Sequence, residues 1–265
     1  MGNMLFAIIK KYTTTLKRLE IGGNPTNYNN NYSLEGIEKL CQADCPFESI
    51  KISYCSKLGD ASIEALVTAF KSTLKELHVI RNCYEKCSKI TDKSAEILTK
   101  ATNLEQLSFV YIRSFDEMFH VHIASLRNLR VLNLRECPLQ EDFSILNEGC
   151  PNLEEVNLSG NSWVRTKTVH GLSKHKNLKI FHLGHVEHAE GQCDKDLGEF
   201  PPRGMFLEAL LKKEEAFPNL RVLYLEQICG LTYWLDVRFK KIRPNLEIRY
   251  TPYENFFQLA GGQFD

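Results

Sequence analysis

The sequence predicts an α/β solenoid, with a parallel β-sheet lining a concave face and helices covering a convex one. Three observations predict it: an apolar pattern that recurs along the chain, helical segments between its occurrences, and an Asn or Cys at one fixed place after five of the eight strands. Aligned on L-x-x-L-x-L-x-x-(N/C), the pattern starts at Leu16, Phe47, Leu74, Leu104, Leu129, Leu153, Leu178 and Leu220. Successive starts lie 31, 27, 30, 25, 24, 25 and 42 residues apart. Self-similarity at such periods marks a stack of supersecondary units, none of which can bury its apolar face alone.

The strands come first. Leu16, Leu19 and Ile21 lead to Asn24, Phe47, Ile50 and Ile52 to Cys55, and Leu74, Leu77 and Val79 to Asn82. Leu104, Leu107 and Phe109 lead to Ile112, Leu129, Leu132 and Leu134 to Cys137, and Leu153, Val156 and Leu158 to Asn161. Leu178, Phe181 and Leu183 end in Val186, Leu220, Leu223 and Leu225 in Ile228, and Pro244-Asn-Leu246-Glu-Ile248 reads as a last, truncated strand. Apolar residues at places four and six make a short strand with one buried face. The Asn or Cys at the ninth place sits inside the turn, where it can meet backbone groups of the next coil. The pattern is similar to that of leucine-rich repeats, which implies a horseshoe solenoid over 16–249 with about eight repeats. Residues 1–15 then form an N-terminal cap and 250–265 a C-terminal cap or tail, since terminal coils need covers.

The helices follow. Asp60 to Phe70 carries apolar residues at helical spacing through Ile63, Leu66, Val67 and Phe70, the stripe a core-facing helix needs. Ser94 to Thr99, Met118 to Leu126, Phe206 to Lys213 and Tyr233 to Ile242 serve similarly. Ser33, Asp60 and Asp92 stand where N-caps are expected.

The cysteines carry a resemblance. Cys55-Ser-Lys-Leu58-Gly-Asp60 and Cys87-Ser-Lys-Ile90-Thr-Asp92, with Cys150-Pro-Asn-Leu153 and Cys45-Pro-Phe47 at helix-to-strand junctions, resemble the cysteine-containing repeats of F-box/leucine-rich-repeat proteins. The resemblance covers roughly residues 12 to 250. It implies a repeat domain that holds a substrate for the Skp–cullin ubiquitin-ligase machinery. No F-box is recognisable here, and only about a dozen residues precede the first repeat, too few for such a small helical domain. Two roles stand open: substrate recognition within a longer adaptor, or an F-box-free scaffold or assembly factor in a larger complex.

Composition closes off other classes. The chain has 265 residues, 33 basic and 33 acidic, so its formal net charge is zero. That argues against a nucleic-acid partner, which selects for a basic surplus. Hydrophobic residues at 43% exclude a disordered chain. The apolar run Met4 to Ile9 is too short for a leader or a membrane span, and Phe6 stands where a myristoylation motif wants Ser or Thr. Nine cysteines, an odd count, fit free thiols in a reducing compartment, cytoplasmic or nuclear.

No metal, cofactor or catalytic role is expected. Cys41-x3-Cys45 and Cys83-x3-Cys87 have loosely zinc-like spacing, yet buried thiols that behave as small hydrophobes account for them better. His182, His185 and His188, with Cys193 nearby, are the one ligand-like cluster, and histidines of a polar insertion are the plainer reading. That insertion, near 187–204, is rich in Gly, Pro and charge. No G-x-S-x-G, glycine-rich phosphate loop or H-E-x-x-H is present.

Function then falls to the concave sheet, the broad surface of a solenoid. Strand alternation sends places three, five and seven outward. The candidate partner-binding residues are Lys51, Glu76, His78, Val110, Asn133, Arg135, Asn157, His182, Tyr224 and Glu226, facing a protein. Ile80, Val110 and Val131 are expected to form an exposed apolar seam, and Tyr224 and Arg135 are residue types enriched at interface hot spots.

Overall fold

A computed structural model of the chain describes residues 15–22, 34–43, 45–55, 57–81, 89–137, 142–161, 164, 166–184, 207, 210–226 and 232–251. Of the caps expected at 1–15 and 250–265, only Thr15, Tyr250 and Thr251 are described, the last two within the final strand rather than a cap. The insertion near 187–204, Ser33, His185, His188 and Cys193 lie outside the described residues. The strands are β1 (Arg18–Gly22), β2 (Ser49–Ser53), β3 (Glu76–Ile80), β4 (Gln106–Val110), β5 (Val131–Asn133), β6 (Glu155–Asn157), β7 (Ile180–Gly184), β8 (Val222–Glu226) and β9 (Glu247–Thr251). Between them run α1 (Leu34–Cys41), α2 (Asp60–Phe70), α3 (Asp92–Leu98), α4 (Phe119–Ile123), α5 (Leu146–Gly149, entered by a 3-10 turn at Phe143–Ile145), α6 (Thr166–Ser173) and α7 (Thr232–Ile242).

All nine strands form one parallel sheet whose spatial order is the sequence order. The register places like on like: Ile50 lies opposite Leu77, Leu77 opposite Leu107, and Leu132 opposite Val156. Places four and six therefore run as continuous apolar files, which with the inner helix faces make a single core. β9 alone slips, since Ile248 lies opposite Leu223, so its count from Leu246 is one residue shorter than that of the other strands.

The ninth-place expectation is corrected in direction. The Asn161 amide donates to the Leu134 carbonyl at 2.8 Å and the Cys137 thiol to the Phe109 carbonyl at 3.2 Å, so both reach back to the preceding coil rather than on to the next. A further ladder lies at each junction. Asn103, Asn128, Asn152, Asn177 and Asn219, each just before a first Leu, donate their side-chain amides to carbonyls of Ser72, Thr102, Arg127, Pro151 and Lys176 at 2.6–3.0 Å. These bonds satisfy carbonyls where the chain turns from helix to strand and no sheet ladder can.

The N-cap expectation is corrected too. Gly59 precedes α2 without a side-chain cap, and Thr91 caps α3, its hydroxyl accepting from the Lys93 N–H. Asp60 is instead the first residue of its helix and reaches across to the following coil. It accepts from the Thr91 N–H and hydroxyl, both at 2.8 Å, and from the Ser94 hydroxyl at 2.5 Å. Asp92 repeats the device, accepting from the N–H groups of Asp116 and Met118. A carboxylate offers enough acceptor sites for several donors, so one side chain ties two coils.

Place eight bends the chain. Tyr54, Tyr111, Glu136 and Gly160 all have φ between 57° and 72°, a left-handed turn that costs a non-glycine residue about 1–2 kcal/mol. Only Gly160 escapes that cost, and a methyl group there would also press on the Glu136 carboxylate. Gly160→Ala is expected to lower the unfolding free energy by about 1–2 kcal/mol, read from urea melts. At Gly149 the demand is steric, because an added Cβ would enter the Ala124 backbone of the neighbouring coil.

The buried imidazole of His175 is neutral and bonded on both nitrogens. It accepts from the Asn177 N–H at Nδ1, so Nε2 carries the proton and donates to the Cys150 carbonyl at 3.0 Å. Burial holds its pKa below the usual 6.5. The unfolded chain then binds the proton first, so stability should fall as pH drops below ~6.5, down to the folded-state pKa. An NMR titration showing His175 at or above the ordinary value would contradict this. Five described cysteines are free thiols, and burial pushes Cys41 up to about 11 and Cys150 to about 12.

Candidate functional site

The concave face is built from two files of side chains rather than three. Places three and five point out of the sheet, carrying Glu76, Lys51, His78, Asn133, His182 and Tyr224, all partly exposed. Place seven turns inward: Val110 is 3% exposed and Arg135 6%. Strand alternation holds only for extended backbone, and the left-handed residue at place eight folds place seven into the corner of the bend. Val110 and Arg135 are therefore buried, against the expectation. Asn157, at place five, is also buried at 8%, held down by its own hydrogen bonds. Glu226 occupies β8 opposite Gly184 and Thr251, and its side chain lies outside the described residues.

The expected apolar seam does not form. Ile80 and Val110 are register partners but both are buried, and Val131 lies opposite Gln106 at place three. Arg135 donates to the Ser159 hydroxyl at 3.1 Å, and that hydroxyl donates to Asn157 Oδ1 at 2.5 Å. An arginine buried in this way orders the floor of the face.

The charges of the face are largely paired. Lys51 meets Glu20 at 2.9 Å and Arg18 meets Glu76 at 3.9 Å. His78 sits opposite Lys51 in register. Burial, its largest influence, lowers its pKa, with Lys51 acting in the same direction and Glu76 and Glu20 against.

At the C-terminal end the structure brings together residues that are far apart in sequence. His182 and Tyr224 stack with parallel rings, centroids 4.1 Å apart. His182 Nε2 lies 2.9 Å from a Glu155 carboxylate oxygen. Arg249 donates to the Tyr224 hydroxyl at 2.6 Å, stands 5.4 Å from its ring centroid, and grips Glu247 through two nitrogens. Arg249 was outside the sequence-derived set because the slipped register of β9 hides its place.

The rim of the sheet carries a file of charges that the repeat pattern itself displays. Place two alternates in sign: Lys17, Glu48, Lys75, Glu105, Arg130, Glu154 and Lys179. Glu48 bridges Lys17 and Lys75 at 2.6 and 2.9 Å, and Glu154 bridges Arg130 and Lys179 at 3.3 and 3.1 Å. The two lysines hold the Glu48 carboxyl down at about 2. Writing the repeats under one another would have exposed the file.

Among the described residues no group of three or more His, Cys, Asp or Glu side chains could hold a metal. None of the described helices is long and apolar enough to cross a membrane.

The geometry defines a leucine-rich-repeat solenoid, and comparison with known proteins agrees. The family model for Leucine Rich repeats (2 copies) matches residues 127–168. The chain is similar to TLR13 in its complex with ssRNA13, with a TM-score of 0.51 and 16% identity, covering 97% of this chain and 32% of that one. It is similar to LegL7, a leucine-rich repeat-containing protein from Legionella pneumophila, with a TM-score of 0.51 and 14% identity, covering 96% of this chain and 71% of that one. At these identities the likeness is one of fold. The chain spans about a third of the length of the TLR13 chain.

Proposed function

We propose that the chain is a non-catalytic recognition scaffold whose concave sheet binds a protein. The observation that carries this is the cluster of Glu155, His182, Tyr224 and Arg249 on an otherwise charge-paired face. It joins an aromatic ring and an arginine, the side chains that most often dominate interface energetics. The neutral net charge weighs against a nucleic-acid or membrane-surface partner, and no cofactor or metal enters the reading. Its narrower form is substrate recognition in ubiquitin-dependent degradation, beside the Skp–cullin machinery, in the reducing cytoplasm or nucleus. That form rests on the C-x-x-(I/L)-(T/G)-D signatures, whose Asp60 and Asp92 tie adjacent coils.

Affinity purification of the tagged chain, with Tyr224→Ala and Lys51→Glu as controls, tests it. Skp and cullin subunits should be recovered together with a protein that both variants lose. Recovery of a different stable complex would replace the ligase role with that of an assembly factor. Retention of every partner by both variants would overturn the concave site itself.

A further inference from the structure

Resting on the concave reading above, we infer that the middle of the sheet takes an extended, uncharged peptide segment by its main-chain carbonyls. The donors are the side-chain amides of Asn133 and Asn157. Both are oriented by the fold. Asn133 Oδ1 accepts from the Arg135 N–H at 3.1 Å, and Asn157 Oδ1 accepts from the Ser159 N–H at 2.9 Å and from the Ser159 hydroxyl. Since a carboxamide has one oxygen and one NH2 group, each Nδ2 is turned away from those bonds. Among the described residues neither Nδ2 has a hydrogen-bond partner.

These two amides are register partners on β5 and β6, with Ser108 before them and His182 after. Neighbouring strands lie about 4.8 Å apart, so the four places span about 14 Å, the reach of roughly four extended residues. The row is polar: Ser108 is buried at its start, the two amides follow, and His182 is held at Nε2 against Glu155. Its ends differ: His78 and, beyond it, the Lys51–Glu20 ion pair lie on one side, and the stacked His182 and Tyr224 rings wall the other. A basic or acidic ligand finds no unpaired opposite charge in the middle of the row, whereas a peptide backbone supplies a carbonyl acceptor at every residue. A fixed donor also loses little freedom on binding, which favours its use in recognition.

The test uses the full chain and a phage-displayed library of random peptides about a dozen residues long. Linear peptides should be enriched, and a selected peptide, synthesised and measured by fluorescence anisotropy, should bind Asn133→Asp and Asn157→Asp at least tenfold more weakly. Each replacement keeps the shape and the accepting oxygen but sets an oxygen against the ligand carbonyl. Circular dichroism and melting curves confirm that the variants fold, and the more exposed Asn133→Asp alone decides if Asn157→Asp does not. Unchanged affinity, or tighter binding of a lysine-rich peptide, would overturn the inference, as would an empty selection or preferential binding of a poly-U oligonucleotide. Loss with Tyr224→Ala but not with the asparagine variants would leave the concave site standing and sink this assignment alone. Indifference to all of them would sink both.

Discussion

Phe119→Ala is expected to destabilise the chain by about 3–5 kcal/mol, the usual cost of emptying a fully buried aromatic site. Phe119 has no exposed surface, and its ring lies 4.0 Å from that of Phe115 and 6.3 Å from that of Phe109. The three rings join strand β4 to the helix that follows it, in the middle of the stack. A solenoid's stability is a sum of coils and nearest-neighbour interfaces. Weakening one central interface should therefore split unfolding into two transitions as well as lower it. Urea melts followed by circular dichroism read both effects, and a single transition shifted by less than about 1 kcal/mol would contradict the packing described. Val121→Ala, on the exposed side of the same helix, should cost less than about 0.5 kcal/mol.

Asp60→Ala should cost about 2–3 kcal/mol. The change removes three hydrogen bonds to a carboxylate and strands the Thr91 N–H in a partly buried junction. One hydrogen bond to a charged group contributes roughly 1.5–3 kcal/mol net, and water entering the emptied junction keeps the three from adding in full. Asp60→Asn keeps one accepting oxygen and should recover part of the loss. Hydrogen exchange locates the effect: protection should drop at α3, in the next coil, more than in α2 itself. The reverse order would show Asp60 acting as an ordinary first-turn residue.

The strands were readable because an apolar residue at every second place is a demand of the buried face, and it recurs in every coil. α2 was readable for the same reason, having four apolar residues on one stripe. α5 and α6 were not, since Leu146–Gly149 is a single turn and Thr166–Ser173 is mostly polar. The roles of Asp60 and Asp92 were misplaced because a sequence shows an acid beside a helix start, not a neighbouring coil within reach. Val110 and Arg135 were misjudged because backbone bends do not follow from side-chain alternation. His182 and Tyr224 were identified singly, but their stacking depends on a register that crosses the 42-residue step from Leu178 to Leu220. The junction asparagines and the place-two charges needed no structure, only a column-by-column reading.

The alternating rim imposes a parity on the coils. Removing any one of them from within the run, for instance the coil that carries Glu105, would set two like charges side by side, here Lys75 against Arg130. Coils could be lost or gained in pairs without that penalty, because opposite signs would meet again. Each mismatched step is worth only some tenths of a kcal/mol, but the penalty falls on every odd change and on no even one. The existing chain breaks the rule once, where Lys179 meets Arg221 across the long repeat.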